Sequence, residues 1–182
     1  MPIKESVMNA LIRLALASAA LLGNCVSARA EEQMVPLAIS GDWVAMAHRP
    51  DMIARADVCI VFDAKRGVAL RSGNGVVQLR VTNSSWSLPA DVQGNITVNV
   101  DAWNAIFEID DNTDTMVNAE IADNLIEPMF AAMDKASNMS ITVGKAKPVV
   151  VSLSGSTRAT NAFRTCAGIQ GNTKAPGSNP FQ

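Results

Sequence analysis

Residues 95–109, NITVNVDAWNAIFEI, decide the fold class. Ile96, Val98 and Val100 alternate with Thr97, Asn99 and Asp101. A period of two is the mark of a strand with one face turned to a core. Ala105, Phe107 and Ile109 then continue the alternation on a second strand. Asp101-Ala102-Trp103-Asn104 joins the two as a hairpin turn. An antiparallel sheet follows from this pairing, and the flanking sequence extends it.

Upstream, residues 31–40 read as a short leader containing Pro36, and residues 41–47 as a first strand. Val58 to Asp63 (VCIVFD) is apolar on both faces and therefore reads as a central strand. Residues 63–67 form a polar turn. Residues 68–71 and 76–82 flank Ser72-Gly73-Asn74-Gly75, which supplies the positive φ angles of a hairpin turn. Residues 83–88 read as another short strand carrying Trp86 and ended by Pro89.

Downstream the period changes. Ile121, Leu125, Met129 and Met133 recur every four residues, with Ile126 and Phe130 beside them. That stripe predicts a helix over about residues 119–136, either kinked at Pro128 or restarted there. Residues 139–143 alternate again, and residues 149–153 read as a buried strand. Gly155-Ser156-Thr157 caps a last short helix through Phe163 to Cys166. Seven or eight strands with helices late in the chain predict an α+β fold. The expected architecture is an antiparallel β-rich sheet or sandwich with one long helix and a short C-terminal helix.

The first thirty residues have a different layout. Lys4 and Arg13 precede an apolar run at residues 14–22, and Ala28-Arg29-Ala30 follows. This is the order of a secretory signal peptide cleaved after Ala30. The run is too short for a span of about 20 apolar residues, so stable membrane insertion is not expected. Cys25 follows Asn24 rather than a small residue, which argues against lipidation. Cleavage lowers the formal charge from −2 to −4, against non-specific nucleic-acid binding. The organisation expected is a signal peptide at 1–30, a single domain at 31–167 and a disordered tail at 168–182 rich in Gly, Pro, Asn and Ser. The protein is expected in the periplasm or secreted.

Cys59 and Cys166 are the cysteines left after cleavage. In an oxidising compartment they predict one disulfide, from the early sheet to the late helix. Without a Cys-x-x-Cys and with His48 the single histidine, a metal or redox pair is the weaker reading.

Motifs of catalysis are sparse. Asp110, Asn112 and Asp114 take the first, third and fifth places of a calcium loop, but Thr115 stands where the loop needs Gly and Ile121 where it needs Glu. His48 with Met46 and Met52, or Met129 with Met133, offers soft copper ligands, yet Met as core filler explains them. A Ser-His-Asp triad would need His48, and no Gly-x-Ser-x-Gly occurs. Asp101, Glu108 and Asp110 could pair as in glycosidases. No cofactor or metal site is read. Ser156, Thr157 and Arg158 at a helix start are a candidate anion site, beside the plainer reading of a helix cap. Trp103 at a hairpin turn is a candidate contact for an envelope protein or glycan.

Residues 149–166, VVVSLSGSTRATNAFRTC, close with a strand, a Gly-Ser and a helix ending in Cys. Together with the opening Gly41-Asp42-Trp43-Val44 they resemble the invasion-associated locus B family of small exported proteins of Gram-negative bacteria. In that family a Cys commonly comes soon after the Gly-x-Trp strand, whereas here the first after it is Cys59. The resemblance implies a periplasmic or secreted β-rich protein without established enzymatic activity, and it carries over no site residues. The reading is an exported, non-catalytic binding protein of the bacterial envelope. The alternative is an envelope hydrolase using paired carboxylates.

Overall fold

The computed structural model describes residues 33–51 and 54–169. The expected signal peptide at 1–30, Met52, and the expected tail beyond Ile169 lie outside the described residues. About 47% of those residues are in strands.

Eleven strands and two helices follow one another among them. The strands are β1 (Gln33–Ser40), β2 (Trp43–Arg49), β3 (Val58–Asp63), β4 (Val68–Gly73), β5 (Val76–Thr82), β6 (Asn95–Val100), β7 (Trp103–Glu108), β8 (Asp111–Asn112) and β9 (Met116–Glu120). Helix α1 (Asp123–Met133), β10 (Asn138–Val143), β11 (Val149–Ser152) and helix α2 (Ser156–Ala167) complete the order. A seven-stranded sheet runs β1-β2-β3-β4-β5-β9-β8, and a four-stranded sheet runs β11-β10-β6-β7. Every pairing is antiparallel. The arrangement is sandwich-like, with the helices as small accessories.

The expected α+β fold with one long helix is therefore corrected. The helix expected over 119–136 has 11 residues, one fewer than the 12 of α2. Its N-terminal end is claimed by the sheet. Ala119 pairs with Leu79 and Glu120 with Gln78 in β9, and the Ile121 amide donates to the Val77 carbonyl. A ladder beside β5 competes with the first helical turn and wins. Ile126, Met129, Phe130 and Met133 still form one buried stripe, and Pro128 sits inside a single helix.

Two other expectations change. Residues 33–40 are an edge strand rather than a leader, with a register shift between Pro36 and Ala38. Residues 83–88 are not a strand. The Asn83 side chain accepts hydrogen bonds from the Ser85 amide and hydroxyl, and the Trp86 amide donates to the Asn83 carbonyl. Such a side-chain turn competes with extended structure. Both hairpins form, with tighter turns than expected: Ser72 and Gly73 belong to β4, and Trp103 and Asn104 to β7. Asn74 and Gly75 have φ of 54° and 79°, and Gly73 faces Val76 across the turn.

The core is one cluster drawn from both sheets and both helices. Trp43, Ala45, Ala47, Cys59, Val61, Val68, Leu70, Leu79 and Val117 face inward from the large sheet; Ile96, Val98, Val100 and Ile141 do so from the small one. Helix α2 lies against β1, β2 and β3. Cys59 on β3 meets Cys166 in the last turn of α2, with their Cα atoms 6.0 Å apart in a disulfide. The ring of Phe163 on α2 sits 6.1 Å from that of Phe130 on α1. Arg164 lies over the Phe130 ring and pairs with Glu127 at 2.7 Å. Bridge, ring pair and ion pair thus tie the two helices to each other and to the sheet.

The other face of the large sheet is different. The residues that alternate with the core set point outward: Met34 and Ile39 on β1, Val44, Met46 and His48 on β2, Val58, Ile60 and Phe62 on β3, and Ala69 on β4. None of them belongs to the core or packs on it. Further along, Arg71, Gln78 and Arg80 make this face polar.

Candidate functional site: a tryptophan-lined groove and its surroundings

The β6–β7 hairpin closes through two residues, with Val100 facing Trp103. Asp101 takes φ of 50° at the turn, a conformation that Asp tolerates better than most residues. The tight turn makes Trp103 the first residue of β7 rather than part of a loop tip. Its side chain is half-buried and packs partly on the core. Beside it runs the C-terminal half of α1. Val100, Asp101, Ala102 and Trp103 from the hairpin, with Pro128, Ala131, Ala132 and Lys135 from α1 and the residues after it, line a groove of about 320 Å³. Small residues on α1 leave the space, one indole lines it, and Lys135 and Asp101 stand as its charged groups. An aromatic face with a few polar groups suits a sugar ring or a side chain of a partner protein.

A second groove, of about 290 Å³, is lined by Asp42, Asp63, Lys65, Arg66, Asn138, Val150 and Ser152. The sequence showed residues 63–67 only as a polar turn, and no spacing pointed to Asn138 or Ser152. The charged groups here are largely engaged with one another. Asp63 is buried and accepts from the Lys65 and Arg66 amides at 3.0 and 2.6 Å. Lys65 pairs with Asp42 at 2.9 Å. This is the structure of a braced turn.

The other sequence candidates are dispersed. Ser156 is buried at 1% exposure, while Thr157 and Arg158 are exposed. The helix they start is entered through Gly155 at φ 83°, without a side-chain cap. A Cβ at Gly155 would lie 2.6 Å from the Ser40 carbonyl oxygen, so the β1–β2 turn sits against this helix end. Glu108 is the last of the six residues of β7, and Asp101 lies in the turn before the first. At about 3.4 Å per residue they are some 20 Å apart, far beyond the roughly 5–9.5 Å of a glycosidase pair. In the acidic cluster, Asn112 accepts from the Val92 amide and donates to the Pro89 and Thr113 carbonyls. Asp111 accepts from Asn118 at 3.2 Å. That cluster pins the 89–92 loop to the sheet. Met129 and Met133 are core residues.

His48 Nδ1 and Asp57 Oδ1 are 2.7 Å apart across the β2–β3 loop. The hydrogen bond from His48 is the main cause that holds the Asp57 carboxyl below its ordinary value. Arg80 is likewise held below the usual guanidinium range, by partial burial first and by its neighbour Arg71 second.

No family model and no curated protein matches the chain. Among solved structures it is similar to invasion associated protein B from Bartonella henselae. The identity is 19%, the match covers 70% of this chain and 95% of that one, and the TM-score is 0.44. The weak resemblance to that group, read from the two ends of the domain, is thus also found by comparing structures.

Proposed function

We propose that this chain is an exported, non-catalytic binding protein of the bacterial envelope, and that the Trp103 groove is where it contacts an envelope protein or glycan. The observation that carries the reading is the Cys59–Cys166 bridge. A bond of this kind persists in an oxidising compartment and is rare in the reducing cytosol. The signal-peptide layout of residues 1–30 supports the same address. Binding rather than turnover is supported by the groove itself, which has an aromatic wall and two charged groups at its margin but no paired carboxylates. The separation of Asp101 from Glu108 weighs against that pairing in the hydrolase alternative.

The test has two parts. Envelope and cytosolic fractions of cells making the full chain are blocked with a thiol reagent and analysed by mass spectrometry. The reading expects a chain starting at Glu31 in the envelope fraction, with Cys59 and Cys166 both unreactive. An uncleaved cytosolic chain with Cys59 and Cys166 both free overturns it. Soluble peptidoglycan fragments are then titrated while tryptophan fluorescence is followed. A saturable change lost in Trp103→Ala supports a glycan contact. No change points to a protein partner instead, and turnover of the fragments overturns the non-catalytic reading.

A further inference from the structure

The small sheet has one face in the core and one turned outward, and the outward face is almost free of charge. Across it, Ser140 on β10 faces Val150 on one side and Asn99 on the other, and Asn99 faces Asn104. In the next row Thr142 faces Thr97, which faces Ile106. Asn138 faces Ser152, and Asn95 faces Glu108 at a corner. Glu108 is the one ionisable side chain among them. Exposed positions ordinarily go to Lys, Glu, Arg and Asp, and Asn is disfavoured in strands. Asn95, Asn99, Asn104 and Asn138 therefore do little for the strands that carry them. Neither these Asn side chains nor those of Thr97, Ser140 and Thr142 bond to another described residue. Beside them Ile106 and Val150 are 65% and 55% exposed. At the β11 margin, Asn138, Val150 and Ser152 turn into the groove of about 290 Å³. Asp42 is spent there on Lys65 and Asp63 on the turn amides, with Arg66 the one charged group lacking an ion-pair or hydrogen-bonding side-chain partner among the described residues. We infer that this face, with the groove at its margin, is a docking surface for a neutral polysaccharide.

The chemistry of the face selects this occupant. Covering an amide or hydroxyl without a partner is costly, so whatever lies here must offer donors and acceptors throughout. Asn, Ser and Thr side chains each both donate and accept, and so do sugar hydroxyls. The C–H faces of a sugar ring are apolar and suit Ile106 and Val150. A lipid surface would leave the amides unbonded. A nucleic acid needs a row of cations, which the face lacks. A protein surface brings charged side chains that find no counter-charge on it. Spacing agrees with a chain-like ligand. Strands about 4.8 Å apart set the polar groups in rows, so an extended chain crossing β10, β6 and β7 meets Ser140, Asn99 and Asn104 in turn. The surface is separate from the Trp103 groove, because Trp103 takes the alternate, core-side positions of β7 with Ala105 and Phe107. The inference stands or falls independently of that groove.

Two-dimensional NMR of the disulfide-bonded protein tests the surface. The neutral probes are hexamers of N-acetylglucosamine and of glucose, and the acidic probe is a galacturonate hexamer. Each is added to about 10 mM, which reaches millimolar affinities. The expected result, with at least one neutral hexamer, is a saturable shift of backbone amides in β6, β10 and β11 and of the Asn99 and Asn104 side-chain amides. Asn99→Asp and Asn104→Asp are nearly isosteric changes at exposed positions. Each replaces a donating amide with a carboxylate that only accepts, and each should weaken binding by about tenfold or more. Asn74→Asp, the same change in the β4–β5 turn of the other sheet, should leave binding alone. No shift with either neutral hexamer overturns the inference. So do shifts centred on Trp103, equal affinity for the galacturonate hexamer, or binding that both Asp variants on the face retain in full. Capture of an envelope protein by the parent but not by Asn99→Asp would assign the face to a protein and also overturn it.

Discussion

The Trp43 indole donates its Nε1–H to the carbonyl of Ser152 at 2.8 Å, across 109 residues of chain. Trp43 opens β2 in the large sheet, and Ser152 ends β11 at the edge of the small one. The bond therefore fastens one sheet to the other at the rim of a ring that is otherwise 1% exposed. Trp43→Phe keeps most of the apolar volume and removes the donor, leaving the carbonyl without this bond. The expected loss is about 1–3 kcal/mol, read as a lower urea midpoint with an unchanged slope. A variant as stable as the parent would show that water satisfies Ser152 equally well.

The disulfide closes a loop of 107 positions. Loop-closure entropy gives it about 4–5 kcal/mol against the unfolded chain. The double variant Cys59→Ala/Cys166→Ala should lose most of that stability in equilibrium denaturation, and reductant should then have no further effect on it. Because Phe163 and Arg164 anchor α2 independently, the double variant should keep its strand signal in circular dichroism at low temperature.

Much of this fold is legible because alternation is a local property. Ile96 to Val100 declare a strand without reference to anything distant, and Asn74-Gly75 declare their turn. The failures come where two local signals overlap. Ala119 and Glu120 fit both a helix stripe and a strand, and only the partner strand β5, some forty residues earlier, decides between them. Residues 33–40 contain Pro36, which reads as a breaker until β2 is seen to hold the strand on its other edge. The site is less legible than the fold. Trp103 stands out by residue type, but its groove depends on Ala131, Ala132 and Lys135, which nothing in the sequence ties to a hairpin thirty residues away.

Gly67 shows what glycine permits at one turn. It has φ of 68°, and a Cβ there would lie 2.2 Å from the Thr82 carbonyl oxygen. That oxygen belongs to the sheet backbone and cannot swing aside. Gly67→Ala should therefore cost more than about 2 kcal/mol, combining positive-φ strain with a displaced strand end. Gly75→Ala has a similar φ but nothing within 4 Å of the new atom. It should cost about 1–2 kcal/mol. Thermal unfolding of the two variants side by side measures the difference, and equal losses would refute the role assigned to Thr82.

Asp57 makes stability depend on acid. Its carboxyl is held below the usual aspartate range, chiefly by the hydrogen bond with His48. A lowered folded value means the unfolded chain takes up the proton first on acidification. The contribution is therefore complete above the unfolded value, near pH 4, and is lost as pH falls through the lower folded value. Asp57→Asn should remove this part of the acid sensitivity. Urea midpoints of the two proteins should differ at pH 5, where the parent is the more stable, and converge near pH 2. A constant gap across that range would rule out Asp57 as its source.

Helix α1 starts without help. Ala122 occupies its N-cap with φ −58° and ψ 139°, the extended geometry a capping residue needs, but it makes no side-chain hydrogen bond to the first turn. It is exposed, so a polar side chain can be placed there without burying it. Ser or Asp at this position would accept from a free amide of the first turn, and Asp would add a charge favoured at a helix N-terminus. Ala122→Asp should stabilise the fold by about 0.5–2 kcal/mol, less Asp123's repulsion, while Ala122→Ser gives the hydrogen bond alone. The order Ser above Asp would mean that repulsion from Asp123 outweighs the helix dipole. Parity of both variants with the parent in chemical denaturation would mean that the helix end is already satisfied by water.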